Sequence, residues 1–484
     1  MKKNSHSILL LSVLSLFITA CAKNPVTGDQ DFVTVTESQE ISQGKEYHQT
    51  ILQQYGVYDD PELQTYVNNL GQELARISHR KHLKFHFTVL DSPQINAFAL
   101  PGGYVYVTRG IMAYLNSEAE LIGVLGHEIG HVTARHSVRQ QSGQLASNLF
   151  NAVIMAATGS SAMGELSQQL STGLVRGYGR KHELEADKLG AKYLHKAGYD
   201  PEAMLDVISV LKDQEVYEKA LAKMQNREPT SYHGVFSTHP ENDDRLKTVI
   251  RASRKLTAEQ YKPRNRERYL GMIDGMDWGP SVKQGILKDN LFSHPGLAIE
   301  LQFPKRWKVQ NQPENLLAAD PDSSSQFQMS VKNADNNESS SELLKRLIGD
   351  EGLRINQITG GVTASTAITV NKENRSAQVT AIKLDSLQHL ILIGFCSEAE
   401  FESARIEFLT INDSFRRLSP SEVAQIGSAE IDIIKVTSTT NYRTLASQSA
   451  IDLEAESRIR LINQAYPDGT INEYPTIKTI IRND

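Results

Sequence analysis

The chain has 484 residues, 39% of them hydrophobic and 22% charged, near the averages of soluble globular proteins, so neither a disordered chain nor a membrane-embedded body fits. Its length exceeds what one hydrophobic core serves and predicts two or three domains. The net charge of -6 leaves no basic field, which excludes a nucleic-acid binder of the electrostatic kind.

Lys2 and Lys3 precede an apolar run from Ile8 to Ala20 that ends at Cys21. A membrane-spanning helix needs about 20 apolar residues, so residues 1–20 are expected to be a cleaved signal peptide. Ile18-Thr19-Ala20-Cys21 resembles a bacterial lipoprotein box, which implies a lipidated Cys21 at the mature N-terminus. Each buried acyl methylene contributes about 0.8 kcal/mol, so two or more chains hold a protein firmly to a membrane. Ala22 stands where an aspartate would resemble an inner-membrane retention signal, so the expected location is the periplasmic face of the outer membrane. The only other cysteine, Cys396, is then left without an intramolecular disulfide partner, and its setting in LILIGFC reads as a buried thiol.

After the turn-rich NPVTGD, helical spacing predicts two helices, ESQEISQGKEYHQTILQQYG and PELQTYVNNLGQELARIS. LKFHFTVL alternates like a half-buried strand, and INAFALPGGYVYVTRG reads as two short strands joined at Pro101-Gly102-Gly103, able to form a sheet edge. Ser117-Glu118-Ala119-Glu120 predicts a capping box opening an apolar, buried helix that runs to about Gln140. Residues 145–176, rich in Gly, Ala, Ser and Met, suit a helical lid or a loosely packed helical hairpin. From Lys181 helical spacing resumes; Gly198 can cap that helix, and Asp200-Pro201 opens another with proline at its first position. The first domain is expected over 21–270. The strand-like runs LAIELQF, QFQMSVKN, SAQVTAIKL and HLILIGF predict a β-rich domain over 285–415. A strand-helix-helix-strand pattern then fills 425–484.

The motif that carries chemistry is GHEIGHVTARH, residues 126–136. His127 and His131, four apart on a helix, converge as two zinc ligands must, and Glu128 beside them can take a proton from a metal-bound water. A catalytic zinc needs a third protein ligand. The metzincin pattern fails because Ala134 and Ser137 stand where glycine and histidine are required. Glu183 and Asp187, at helical spacing on a later helix, supply a third ligand and a hydrogen-bond acceptor for a ligating histidine. Glu185 and Glu165 are weaker ligand candidates, and His136 and His182 read as solvated or capping histidines.

His127-Glu128-x-x-His131 with Glu183-x-x-x-Asp187 resembles the gluzincin metallopeptidases of the CAAX-prenyl-protease, HtpX and Oma type, in particular their soluble bacterial lipoprotein, BepA-like branch, over roughly residues 24–260. The resemblance implies an α+β fold: a mostly helical zincin domain with a small edge-strand sheet, followed by the β-rich domain and a small βααβ module that resembles LysM. It implies that Asn96-Ala97-Phe98, before Leu100-Pro101-Gly102-Gly103, holds an extended substrate along the edge strand. Ser237-Thr238-His239-Pro240 resembles a family stretch whose histidine can close the open zinc position; His239 could alternatively donate to the oxyanion or end a helix, and Arg245 matches a family arginine near the site. The LysM signatures Gly-Asp-Thr and Pro-Gly-Gln are missing, so a structural cap rather than glycan binding is expected.

The implied function is zinc-dependent peptide hydrolysis in the cell envelope, with one zinc per chain on His127, His131 and Glu183 and with Glu128 as the general base. Misfolded or unassembled envelope proteins are the implied substrates, in a role of protein quality control. The alternative is a membrane-anchored assembly scaffold whose zinc site is latent or structural. A cell-wall hydrolase is a third reading.

Overall fold

The computed structural model describes residues 21–143, 179–225 and most of 256–482. Among these the chain divides into two units, one from residues up to Thr50 with Val57–Met276 and Ile431–Ile481, the other from Ile51–Gly56, Asp277–Glu430 and the last residues. The fold is α+β. No helix of the described residues is long and apolar enough to cross a membrane. The expected signal peptide and the 145–176 segment lie outside the described residues.

The first unit opens with a two-stranded ladder, β1 (Cys21–Lys23) and β2 (Gln30–Phe32), followed by α1 (Glu37–Tyr55) and α2 (Pro61–Ile77). Asp60 caps α2, accepting from the Glu62 and Leu63 amides, with Pro61 at the position that needs no amide donor. Leu63, Val67, Leu70 and Leu74 form its buried stripe at helical spacing. A three-stranded sheet comes next, in the order β3 (His86–Leu90), β5 (Tyr104–Thr108), β4 (Ala97–Leu100). β3 runs parallel and β4 antiparallel to β5, so β4 is an outer strand, as the sequence suggests.

Helices α3 (Arg109–Tyr114), α4 (Glu118–Thr133), α5 (Arg180–Lys196), α6 (Ala203–Met224) and α7 (Arg266–Ile273) complete the core of this unit. Two expectations are corrected. α4 stops at Thr133 rather than near Gln140, because Arg135 takes a left-handed conformation (φ 55°), which breaks the ladder before helical turns resume at His136. α6 starts at Ala203, with Pro201 in the preceding turn rather than at the first helical position. Gly198 does take the positive φ, 87°, that ends α5.

The second unit is built on a seven-stranded antiparallel sheet ordered β10 (Lys308–Asn311), β11 (Asn315–Ala319), β12 (Gln326–Asn333), β16 (Gln388–Ser397), β15 (Arg375–Lys383), β14 (Val362–Val370), β13 (Arg354–Ile358). Alternation along β16 feeds two cores. Leu390, Leu392 and Cys396 face a cluster with Phe408 of α9 (Phe401–Asp413), while Ile391 joins Leu343 and Leu344 of α8 (Ser340–Ile348) on the other face. A second antiparallel sheet orders β17 (Arg416–Arg417), β9 (Ile299–Gln302), β8 (Leu291–His294) and β7 (Ile286–Lys288).

Residues 431–481 return to the first unit. There β18 (Ala429–Lys435), α10 (Tyr442–Gln448), α11 (Ala455–Ile462) and β19 (Thr476–Arg482) follow the expected βααβ order, with a core of Tyr442, Leu445, Ile459 and Ile477. The ammonium of Lys478, fully buried, donates to the carbonyls of Ala113 and Leu115 at 2.7 Å each. Asn116 Nδ2 donates to the Ile462 carbonyl at 2.9 Å, and Gln464 Nε2 to Glu120 Oε2 at 2.7 Å. The C-terminal module therefore grips the turn that launches α4.

Candidate metal centre

Helix α4 is buried along all sixteen residues, as its apolar composition predicts. Ser117 caps it, accepting from the Glu120 amide. The carboxylate of Glu120 accepts from the Ser117 hydroxyl at 2.9 Å and the Asn116 amide at 2.8 Å, one residue earlier than a strict capping box. Burial pushes the Glu120 carboxyl up, against the pull of these hydrogen bonds.

α4 and α5 approach closely because small residues face each other. A Cβ added at Gly130 would lie 3.1 Å from the Ala186 carbonyl oxygen and 3.2 Å from its Cα. One added at Gly190 would lie 3.1 Å from the His127 amide nitrogen. This contact delivers Glu183, in the first turn of α5, to the two histidines one turn apart on α4.

His127 Nε2 and His131 Nε2 are 3.0 Å apart. Glu183 Oε2 lies 3.5 Å from the first and Glu183 Oε1 3.5 Å from the second. All three side chains are buried, and one ligand atom from each falls within 4.8 Å of the others. Metal–ligand lengths of about 2.0–2.2 Å in a tetrahedron put ligand atoms about 3.3–3.6 Å apart; the two Glu183–imidazole spacings match that edge and the imidazole pair is slightly closer, so the donor set of two imidazoles and a carboxylate suits zinc. Asp187 Oδ1 stands 2.9 Å from His127 Nδ1; a carboxylate in that place favours a proton on Nδ1, which would leave the Nε2 lone pair for a metal.

Glu128 is buried and shares with His127 the lining of a small apolar recess, whose other walls are Ala97, Ile111, Gly123, Val124 and the Met204, Val207, Ile208, Leu211 stripe of α6. Ala97 brings the outer strand β4 to this recess. Phe98 stacks on Tyr106 at 4.9 Å, and buried Asn96 holds its backbone to Thr108. The backbone of Cys21 lies in β1; His239, Arg245 and Glu165 lie outside the described residues.

His136 is neither solvated nor a cap. Its ring is fully buried, with Nδ1 2.9 Å from His131 Nδ1, Nε2 3.2 Å from Glu185 Oε2, and one face stacked on His182 at 4.4 Å. Arg139 Nη1 donates to the same Glu185 oxygen at 3.0 Å. Burial works upward on the Glu185 carboxyl, but the hydrogen bonds from His136 and Arg139 outweigh it and hold its pKa at about 2. Burial pushes the half-buried His182 down to about 4, with His136 and Arg139 adding to the effect. Helical periodicity gave no signal for this group, since a residue five beyond His131 does not share its face; the left-handed turn at Arg135 brings the ring back.

Residues 61–252 match peptidase family M48. The chain is 29% identical over 324 residues to the beta-barrel assembly-enhancing protease of Yersinia pestis, covering 61% of this chain and 63% of that protein. It is 30% identical over 281 residues to the beta-barrel assembly-enhancing protease of Escherichia coli K12, covering 54% of each. With the mitochondrial metalloendopeptidase OMA1 of Arabidopsis thaliana it shares 32% identity over 198 residues, 41% of this chain and 37% of the plant protein. The chain thus spans less than two thirds of the length of each. The paired-histidine helix α4 and the glutamate helix α5, with the cluster they bring together, both fall inside the segment that is similar to peptidase family M48.

Proposed function

We propose that this chain is a zinc-dependent endopeptidase of the bacterial cell envelope, acting in protein quality control. The observation that carries the reading is the convergence of His127, His131 and Glu183 from two helices, with Glu128 lining the recess beside them. His127 and His131 would bind through Nε2 and Glu183 through its carboxylate. When bound, zinc supplies a Lewis acid for the scissile carbonyl and lowers the pKa of a water toward about 7. Glu128 takes the proton of the attacking water on its carboxylate oxygen and returns it to the leaving amine nitrogen. Asp187 orients His127 throughout. Asn96, Ala97 and Phe98 would hold an extended peptide along β4, a role supported by the place of Ala97 in the recess wall. His239 and Arg245 are assigned to the oxyanion, or His239 to a latch, on their sequence setting alone.

The names of the bacterial relatives favour unassembled envelope proteins as substrates. A lipid on Cys21 would hold the enzyme at the periplasmic face of the outer membrane. Glu128→Gln should retain stoichiometric zinc while casein cleavage falls by about three orders of magnitude or more. Undiminished cleavage in that variant would remove the assignment. For the anchor, Cys21→Ser should move the protein from the membrane fraction to the soluble one; continued sedimentation with membranes rejects lipidation.

A further inference from the structure

We propose that His136 is a positioning residue for the metal ligand His131, linking that ring to the Glu185–Arg139 pair as Asp187 alone serves His127. The inference rests on the zinc reading above, in which His131 binds through Nε2.

Two imidazole nitrogens 2.9 Å apart, His131 Nδ1 and His136 Nδ1, hold one hydrogen between them. If His131 offers its Nε2 lone pair to the metal, its proton sits on Nδ1 and His136 Nδ1 must accept it. The His136 proton is then on Nε2, which faces Glu185 Oε2 at 3.2 Å, and that carboxylate is held in turn by Arg139. Every donor in the row meets an acceptor under this single tautomer assignment, and reversing any step leaves two hydrogens or none in a buried contact. A ring is needed as spacer because of helix geometry. Asp187 lies four residues after Glu183, on the same face of α5, and reaches His127 directly; Glu185, two residues on, points to another side. The interposed imidazole spans the remaining gap, seated against His182 with the rings only 15° from parallel.

Three variants of the full chain separate this role from simple packing, with zinc affinity read by chelator competition. His136→Phe keeps a ring to stack on His182 but has no nitrogen, and its zinc affinity should fall by about 10–100-fold, the usual consequence of losing an outer partner of a ligating histidine. His136→Gln carries an acceptor oxygen and a donor amide, and should recover most of that loss. Glu185→Ala removes only the far end of the row at a partly exposed site, so it tests the link even if the His136 variants fold poorly, and should weaken zinc in the same direction. Wild-type affinity in His136→Phe or in Glu185→Ala overturns the proposal, as does a glutamine variant no better than phenylalanine. A wild-type chain without stoichiometric zinc defeats the metal reading itself, which tells that failure apart from failure of the His136 role.

Discussion

Replacing Gly130 by alanine tests the claim that a close helix contact sets the ligand geometry. The new Cβ would meet the Ala186 carbonyl oxygen at 3.1 Å, the Ala186 Cα at 3.2 Å and the Leu189 Cβ at 3.2 Å, two of the three being rigid backbone atoms. Carbon contacts relax at about 3.5–4.0 Å, so α5 must retreat by about 0.3–0.5 Å at Ala186, less than one turn from Glu183. The Glu183 oxygens, now 3.5 Å from each imidazole Nε2, would move toward about 4 Å, beyond the tetrahedral edge of about 3.3–3.6 Å. Since a 1 Å misplacement can cost about 100-fold, half of that should cost roughly tenfold in zinc affinity, with a similar loss in casein cleavage at limiting zinc. Stability enters with two signs: overpacking costs about 1–3 kcal/mol, whereas alanine in a helix recovers about 1 kcal/mol. Gly271→Ala in α7 is the control, since its Cβ meets nothing within 4 Å; it should bind zinc normally. Chelator competition and denaturant unfolding on both variants decide the matter. Wild-type zinc affinity in Gly130→Ala would refute the argument that this contact positions Glu183.

Leu211→Trp intrudes on the apolar recess beside Glu128 and should lower kcat/KM at least tenfold for peptides with a large apolar residue at the cleaved bond, and less for small ones; an unchanged cleavage profile over a peptide library would show that the recess holds no substrate side chain. Lys478→Met strands the Ala113 and Leu115 carbonyls at about 1–3 kcal/mol each, offset in part because burial holds the Lys478 ammonium well below the usual lysine range. We expect a net loss of about 2 kcal/mol in urea unfolding, and equal or greater stability would contradict the assigned role of the C-terminal strand.

Much of the candidate site is written locally. His127 and His131 stack because four residues make just over one helical turn, and Glu183 with Asp187 repeats that spacing on α5. The outer strand β4 is legible from apolar alternation around Pro101-Gly102-Gly103. Composition and pattern likewise separate the strand-rich 285–415 stretch from the helical region before it. What local pattern could not supply is the pairing of elements distant in the chain. The distance between α4 and α5 depends on Gly130 meeting Ala186 and on Gly190 meeting His127, pairs far apart in the chain. The burial of His136 depends on a left-handed Arg135, and the partner it finds, Glu185, had looked like a surplus acid. The turn before α4 is held by Lys478, more than 360 residues downstream, through hydrogen bonds that no periodicity announces. Side-chain spacing within one helix follows from the peptide geometry alone, so sequence determines which groups can act together; which of them meet is decided by close packing between elements, where one Cβ or one buried ammonium changes the outcome.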